Sequence, residues 1–187
     1  MDPLGALLNA VKTNELETVR TLLARDTTGR LVNGDDDDGR TPLFFANTPE
    51  MLQLLLLNGA VLSGAVDVDG RNPLHFLFTD TFPRLVERAP REWESIHRRA
   101  MKLAYMLMRA HIENGTPIEL QTDGNGLRPV DYLDNPRQWP DEFIERLNHL
   151  IVDYTPPPVG GREGKIRRKN EILRKLCAPP GRLWLAE

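Results

Sequence analysis

Three segments decide the fold: Asp36-Asp37-Asp38-Gly39-Arg40-Thr41-Pro42-Leu43, Asp67-Val68-Asp69-Gly70-Arg71-Asn72-Pro73-Leu74 and Asp123-Gly124-Asn125-Gly126-Leu127-Arg128-Pro129-Val130. They align without gaps as Asp-x-x-Gly-x-[Thr/Asn/Arg]-Pro-[Leu/Val]. Asp opens a turn through its own side chain, and Gly supplies the positive φ of a tight tip. Thr or Asn before Pro can cap a helix, and Pro suits the first helical position because its missing N–H would be unpaired there. The following Leu or Val is the first core residue. Each segment reads as turn, cap and helix start.

Outward from these turns the periodicity is helical. After Pro42 come Leu43, Phe44, Phe45 and Ala46, a break at Thr48-Pro49, then Glu50–Asn58 with Met51, Leu52, Leu54, Leu55 and Leu56, closed by Gly59. The same order of helix, break, helix and Asn-Gly returns over Pro73–Gly115. A copy without the opening turn occupies Leu7–Leu23.

Asp38–Ala46 (DGRTPLFFA) and Asp69–Leu77 (DGRNPLHFL), each followed by a Leu-rich helix ending in Asn-Gly, resemble ankyrin repeats, whose signature is T-P-L-H-x-A in units of about 33 residues. Gly39 and Gly70 stand 31 residues apart. The resemblance spans roughly residues 4–154 and implies an all-α, ankyrin-like α-solenoid of about four helix-pair repeats. His75, in the signature's His place, is expected to tie repeats together through backbone hydrogen bonds.

The departures carry expectations of their own. The first helix of repeat two should be clipped near Asn47-Thr48. Gly70 to Gly126 spans 56 residues, so repeat three is elongated, with much of the excess in Asp80–Glu94 between its helices. After Pro90, Trp93, Ile96, Ala100, Leu103, Leu107 and Ala110 recur at helical steps, predicting one helix over 91–114 with Trp93 in the core. Repeat four has Arg128 for Thr, Asp131 for His, and a break at Asn135–Pro140.

Composition bounds the rest. The chain has 187 residues, 40% hydrophobic, 27% charged and 6% aromatic, with 14 Gly and 15 Pro. That excludes a collagen, a coiled-coil rod or a wholly disordered chain. The longest apolar run, Met51–Leu57, cannot cross a bilayer, and the acidic start Met1-Asp2-Pro3 does not read as a leader. Cys177 is the only cysteine, which excludes a disulfide framework. A reducing, cytoplasmic setting is expected.

Charge divides the chain. Residues 155–187 hold eight Lys/Arg against three acids, a net of +5, which leaves −8 of the total −3 on residues 1–154. Two domains are therefore expected: residues 1–154 as repeats, and residues 155–187 as a Pro/Gly linker with a basic capping helix over Lys165–Leu176. An acidic body disfavours nucleic acid and membrane as partners.

Candidate chemistry is sparse. Asp35–Asp38 fails the EF-hand pattern at both ends, because Gly34 and Phe45 would hold the first and last ligand positions. His97, His111 and His149 lack partners at ligand spacing. Nucleophile-elbow, P-loop and H-E-x-x-H signatures do not occur. No catalytic residue, metal or cofactor is expected. The reading is a protein-interaction module, monomeric when free, serving as an inhibitor, immunity-type protein or adaptor/effector. The expected contacts are Asp37, Asp38, Arg40, Phe45, Val68, Asp69, Arg71, Phe76, Asn125 and Leu127, facing a partner with a basic patch. The alternatives are an enzyme with a site near the Asp80–Glu94 insertion and His97, or attachment to anionic lipid or nucleic acid through the basic C-terminal helix.

Overall fold

The computed structural model describes residues 2–110, 118–133, 139 and 141–154. All regular structure among them is helical, and no strand occurs among the described residues. Contacts divide the chain into residues 1–152 and 153–187. The first unit follows the repeat order: α1 (Pro3–Lys12) and α2 (Leu16–Arg25); a single 3-10 turn Pro42–Phe45 and α3 (Pro49–Leu57); then α4 (Pro73–Phe76), α5 (Phe82–Arg88) and α6 (Trp93–Ala110). A 3-10 turn at Pro129–Tyr132 and α7 (Asp141–Tyr154) complete it.

Two rows pack on each other. α1, the Pro42–Phe45 turn, α4 and the Pro129–Tyr132 turn touch in sequence as an inner row, while α2, α3 and α6 touch in sequence as an outer row. One apolar core runs between them through Leu7, Val11, Leu43, Phe44, Leu55, Leu74, Phe78, Ile96 and Leu103. This is the layer-on-layer burial that a helix-pair repeat needs, since no single pair can hide its apolar face alone.

Local sequence explains the irregular members. In repeat two, Pro49 bars the preceding residue from helical angles, so Thr48 is extended (φ −132°, ψ 149°) and its Oγ1 instead caps α3 by accepting from Met51 N. The first helix therefore shrinks to one turn, shorter than the clipping expected near Asn47-Thr48.

Repeat three corrects the sequence reading. Asp80–Glu94 is not a connecting loop: the chain stays helical from Pro73 to Arg88 through a π-helical stretch at Leu77–Thr81. Pro83 has no N–H to give the carbonyl four residues back, and its ring crowds that carbonyl. The ladder widens just ahead of it, with Phe82 N–H donating to Leu77 O. α6 starts at Trp93 rather than Arg91, and its stripe buries Ile96, Ala100, Leu103 and Leu107 as the spacing predicts. Trp93 itself is 48% exposed, which overturns the expectation that it is core. The C-terminal end predicted for this helix, most of the Asn135–Pro140 break, His111, the Pro/Gly linker, the basic capping helix and Cys177 lie outside the described residues.

Candidate partner-binding face

The three hairpin tips share one construction. Asp67 N–H donates to Arg71 O at 2.9 Å and Gly70 N–H donates to Asp67 O at 2.9 Å, with Gly70 at φ +75°. Asp67 Oδ1 accepts from Asp69 N (3.0 Å) and Arg71 N (2.9 Å). Asp36 repeats this scheme with Asp38 N and Arg40 N, and Asp123 repeats it with Asn125 N and Leu127 N. The Asp of each motif is thus a turn-forming residue, as its sequence position implies.

The arginines close the first two tips. Arg71 reaches Asp67 Oδ2 through Nε (2.9 Å) and Nη2 (2.8 Å), and Asp69 Oδ2 through Nη2 (2.8 Å). Arg40 reaches Asp36 through Nε (3.2 Å to Oδ2) and pairs with Asp38 through Nη2. Both arginines were expected as partner contacts. Their forked guanidinium groups are engaged within their own hairpins, each gripping two carboxylates. The third tip has Leu127 where the arginine would be, and Tyr132 donates its hydroxyl to Asp123 Oδ2 instead. Burial pushes the Asp123 carboxyl up, but the bonds from Tyr132, Leu127 and Asn125 outweigh it and hold the group below the usual carboxylate range.

Neighbouring tips are joined backbone to backbone. Val68 N–H donates to Asp38 O at 2.9 Å, and Gly124 N–H donates to Asp69 O at 2.8 Å. The second junction is so close that a Cβ on Gly124 would lie 2.8 Å from Asp69 O. His75 adds a side-chain tie. Its Nδ1 accepts from Asn72 N (3.2 Å), so the remaining proton sits on Nε2 and is donated to Leu127 O (2.9 Å). Burial holds the His75 imidazole below its ordinary pKa, against the opposing pull of the Leu127 carbonyl and of Asp123 and Asp67. The bridging role expected of this residue is what the geometry shows. In repeat four Asp131 does the capping half of the job, accepting from Arg128 N at 2.8 Å. Phe44, in the same register of repeat two, cannot.

Beneath the tips runs an aromatic series that the sequence reading placed differently. Phe45, Phe76 and Tyr132 occupy the same register after Pro42, Pro73 and Pro129. Phe45 and Phe76 are 9% and 5% exposed and meet edge to face at 5.5 Å. The Arg40 guanidinium covers both at 5.6 Å, and Lys12 Nζ stands 4.0 Å over Phe45. These two rings, expected among the contacts, form the floor under Arg40 and Lys12. Their shared offset from Pro was the signal available in the sequence.

What remains outward is graded. Asp37 and Asp38 head the first tip, Val68 (71% exposed) and Asp69 the second, and Asn125 and Leu127 the third. The face passes from acidic through aliphatic to neutral.

His97, the residue of the alternative enzymatic reading, lies elsewhere. Its Nδ1 meets Trp93 O at 2.7 Å, and its ring is packed among Trp93, Trp139 and Phe143 at 5.5–5.6 Å. Among the described residues no cluster of three His, Cys, Asp or Glu could hold a metal ion, and no helix is long and apolar enough to cross a membrane.

No family model matches the chain, and no curated protein matches it. Among solved structures it is similar to the crystal structure of the ankyrin repeat domain of Bcl-3, described as a unique member of the IkappaB protein family. The likeness is to an ankyrin repeat domain. Identity is 25% over 76% of this chain, with a TM-score of 0.49, and the chain spans about half the length of that structure.

Proposed function

We propose that this chain is a protein-interaction module that holds a protein partner on its hairpin tips and the inner row beneath them, without turning it over. The observation that carries the reading is the tied row of tips. Each tip is closed by its own Asp and bonded to its neighbour through the backbone, so Asp37, Asp38, Val68, Asp69, Asn125 and Leu127 are presented at fixed spacing. A surface already ordered before contact loses little freedom on binding, which favours affinity.

The acidic first tip and the −8 charge of residues 1–154 favour a partner with a basic patch and a salt-sensitive association rate. Roles as an inhibitor, an immunity-type protein or an adaptor all use such a face, in a cytoplasmic setting and with the free chain monomeric.

The test is affinity capture with the full chain against its Asp37→Lys/Val68→Lys/Leu127→Lys variant. These three side chains are exposed and take no part in closing the tips, unlike Arg40 and Arg71. A partner held by the wild type and lost by the variant, at unchanged melting temperature, supports the reading. A partner retained equally by both would overturn it.

A further inference from the structure

The α5–α6 corner stands apart from the hairpin face, and its chemistry is opposite in sign. Residues 84–102 carry Arg84, Arg88, Arg91, Arg98, Arg99 and Lys102 against Glu87, Glu92 and Glu94, a net of +3; the rest of residues 1–154 then sums to −11. The exposed Arg84 is neutralised by the largely covered Asp80, and Arg98 pairs with Glu94 on the exposed surface. Among the described residues Arg88 and Arg91 make no ion pair, and both are exposed.

Between these charges stands Trp93. Its place in the α6 stripe is a core place, yet almost half of it meets solvent. α6 has 18 residues where α3, the outer helix it packs on, has nine, so its first turn has less to cover it. Trp93 rests on the His97 ring at 5.6 Å, edge to face, and through it on Trp139 and Phe143. The indole is therefore seated on a rigid aromatic base and about half exposed, with Arg88 and Arg91 just before it in the chain and Glu92 and Glu94 on either side of it.

We infer that the α5–α6 corner is a second interaction surface, taking a short acidic protein segment whose apolar side chain covers Trp93 while its carboxylates pair with Arg88 and Arg91. Trp and Arg are the side chains that most often anchor interfaces, and Arg meets a carboxylate with two parallel bonds. A long polyanion fits worse. Glu87, Glu92 and Glu94 lie among the arginines, and a nucleic acid or an anionic bilayer must also approach the −11 remainder, whose repulsion reaches about 10 Å at ordinary salt. A short acidic segment meets only the local charge.

The test uses the full chain and a fluorescein-labelled short peptide of glutamates around a Leu-Phe pair, with the same peptide in glutamine as control, read by anisotropy at low salt. The wild type should bind the glutamate peptide and not the glutamine one. Trp93→Ala and Arg88→Gln/Arg91→Gln should each weaken binding about tenfold or more. Both change exposed side chains, and melting curves verify the fold; Trp93→Phe should restore most of the binding. No binding by the wild type, or equal binding by the variants, would overturn the inference. So would tighter, Trp93-dependent binding of duplex DNA or phosphatidylserine vesicles.

Discussion

Asp67→Asn puts the hairpin closure under direct strain. The Asp67 side chain is 1% exposed and accepts four bonds, from Asp69 N, Arg71 N, Arg71 Nε and Arg71 Nη2. An asparagine can keep Oδ1 on the two backbone donors, but it then turns its NH2 toward the guanidinium. Two bonds become a donor-to-donor contact, and Arg71 loses its buried counter-ion. Removing one partner of a fully buried pair costs about 3–5 kcal/mol. Here Arg71 is 26% exposed and keeps Asp69 at 2.8 Å, so the figure must be discounted, to about 2 kcal/mol. For a unit of this size that lowers the melting temperature by roughly 4–8 °C. Urea denaturation followed by circular dichroism measures it, and Arg71→Leu with the double variant completes a cycle that isolates the coupling. A change in stability below about 0.5 kcal/mol, the level of an ordinary surface substitution, would refute the clamp.

Three further outcomes follow from the same geometry. Because the His75 pKa is depressed on folding, the unfolded chain takes up a proton that the native chain refuses; stability is full above about pH 6.5 and falls as the pH drops below it. His75→Gln should flatten that slope in melting curves taken between about pH 7 and 5. Gly124→Ala, at an exposed turn, should cost about 1–3 kcal/mol by driving its Cβ into Asp69 O, whereas a neutral result would mean that the second junction is looser than 2.8 Å. Thr48→Ala should cost about 1 kcal/mol, since Oγ1 both caps α3 and donates to Asn14 Oδ1 at 2.7 Å, and hydrogen exchange should show fraying over the first turn of α3.

What could be read in the sequence was the local chemistry. Asp36, Asp67 and Asp123 take their backbone bonds within four residues of themselves, the Pro that follows fixes the helix start, and Thr48-Pro49 forces the break, so spacing suffices for these; the bond from Tyr132 to Asp123, nine residues on, is not local in this sense. His75 was legible because its role depends on its place in a repeat. The surroundings of Phe45, Phe76 and Trp93 depend on what a neighbouring element does. Phe45 and Phe76 were expected to face a partner, but adjacent repeats bring them against each other and under Arg40. Arg40 and Arg71 were expected as partner contacts, and each is paired with two carboxylates of its own hairpin. Trp93 fits the buried stripe of α6, and only the length of α6 relative to α3 uncovers it. The π-helical stretch before Pro83 follows from one missing N–H, yet the chain could equally have broken there; packing of α5 on α6 keeps it helical.

The tied row of tips as the gripping surface is tested most directly by amide hydrogen exchange on the full chain, free and saturated with a captured partner. Exchange should slow at the amides of the tips over 36–40, 67–71 and 123–127, including Asp37 at the head of the first tip. Protection confined to other parts of the chain, with the three tips exchanging as they do alone, would contradict it.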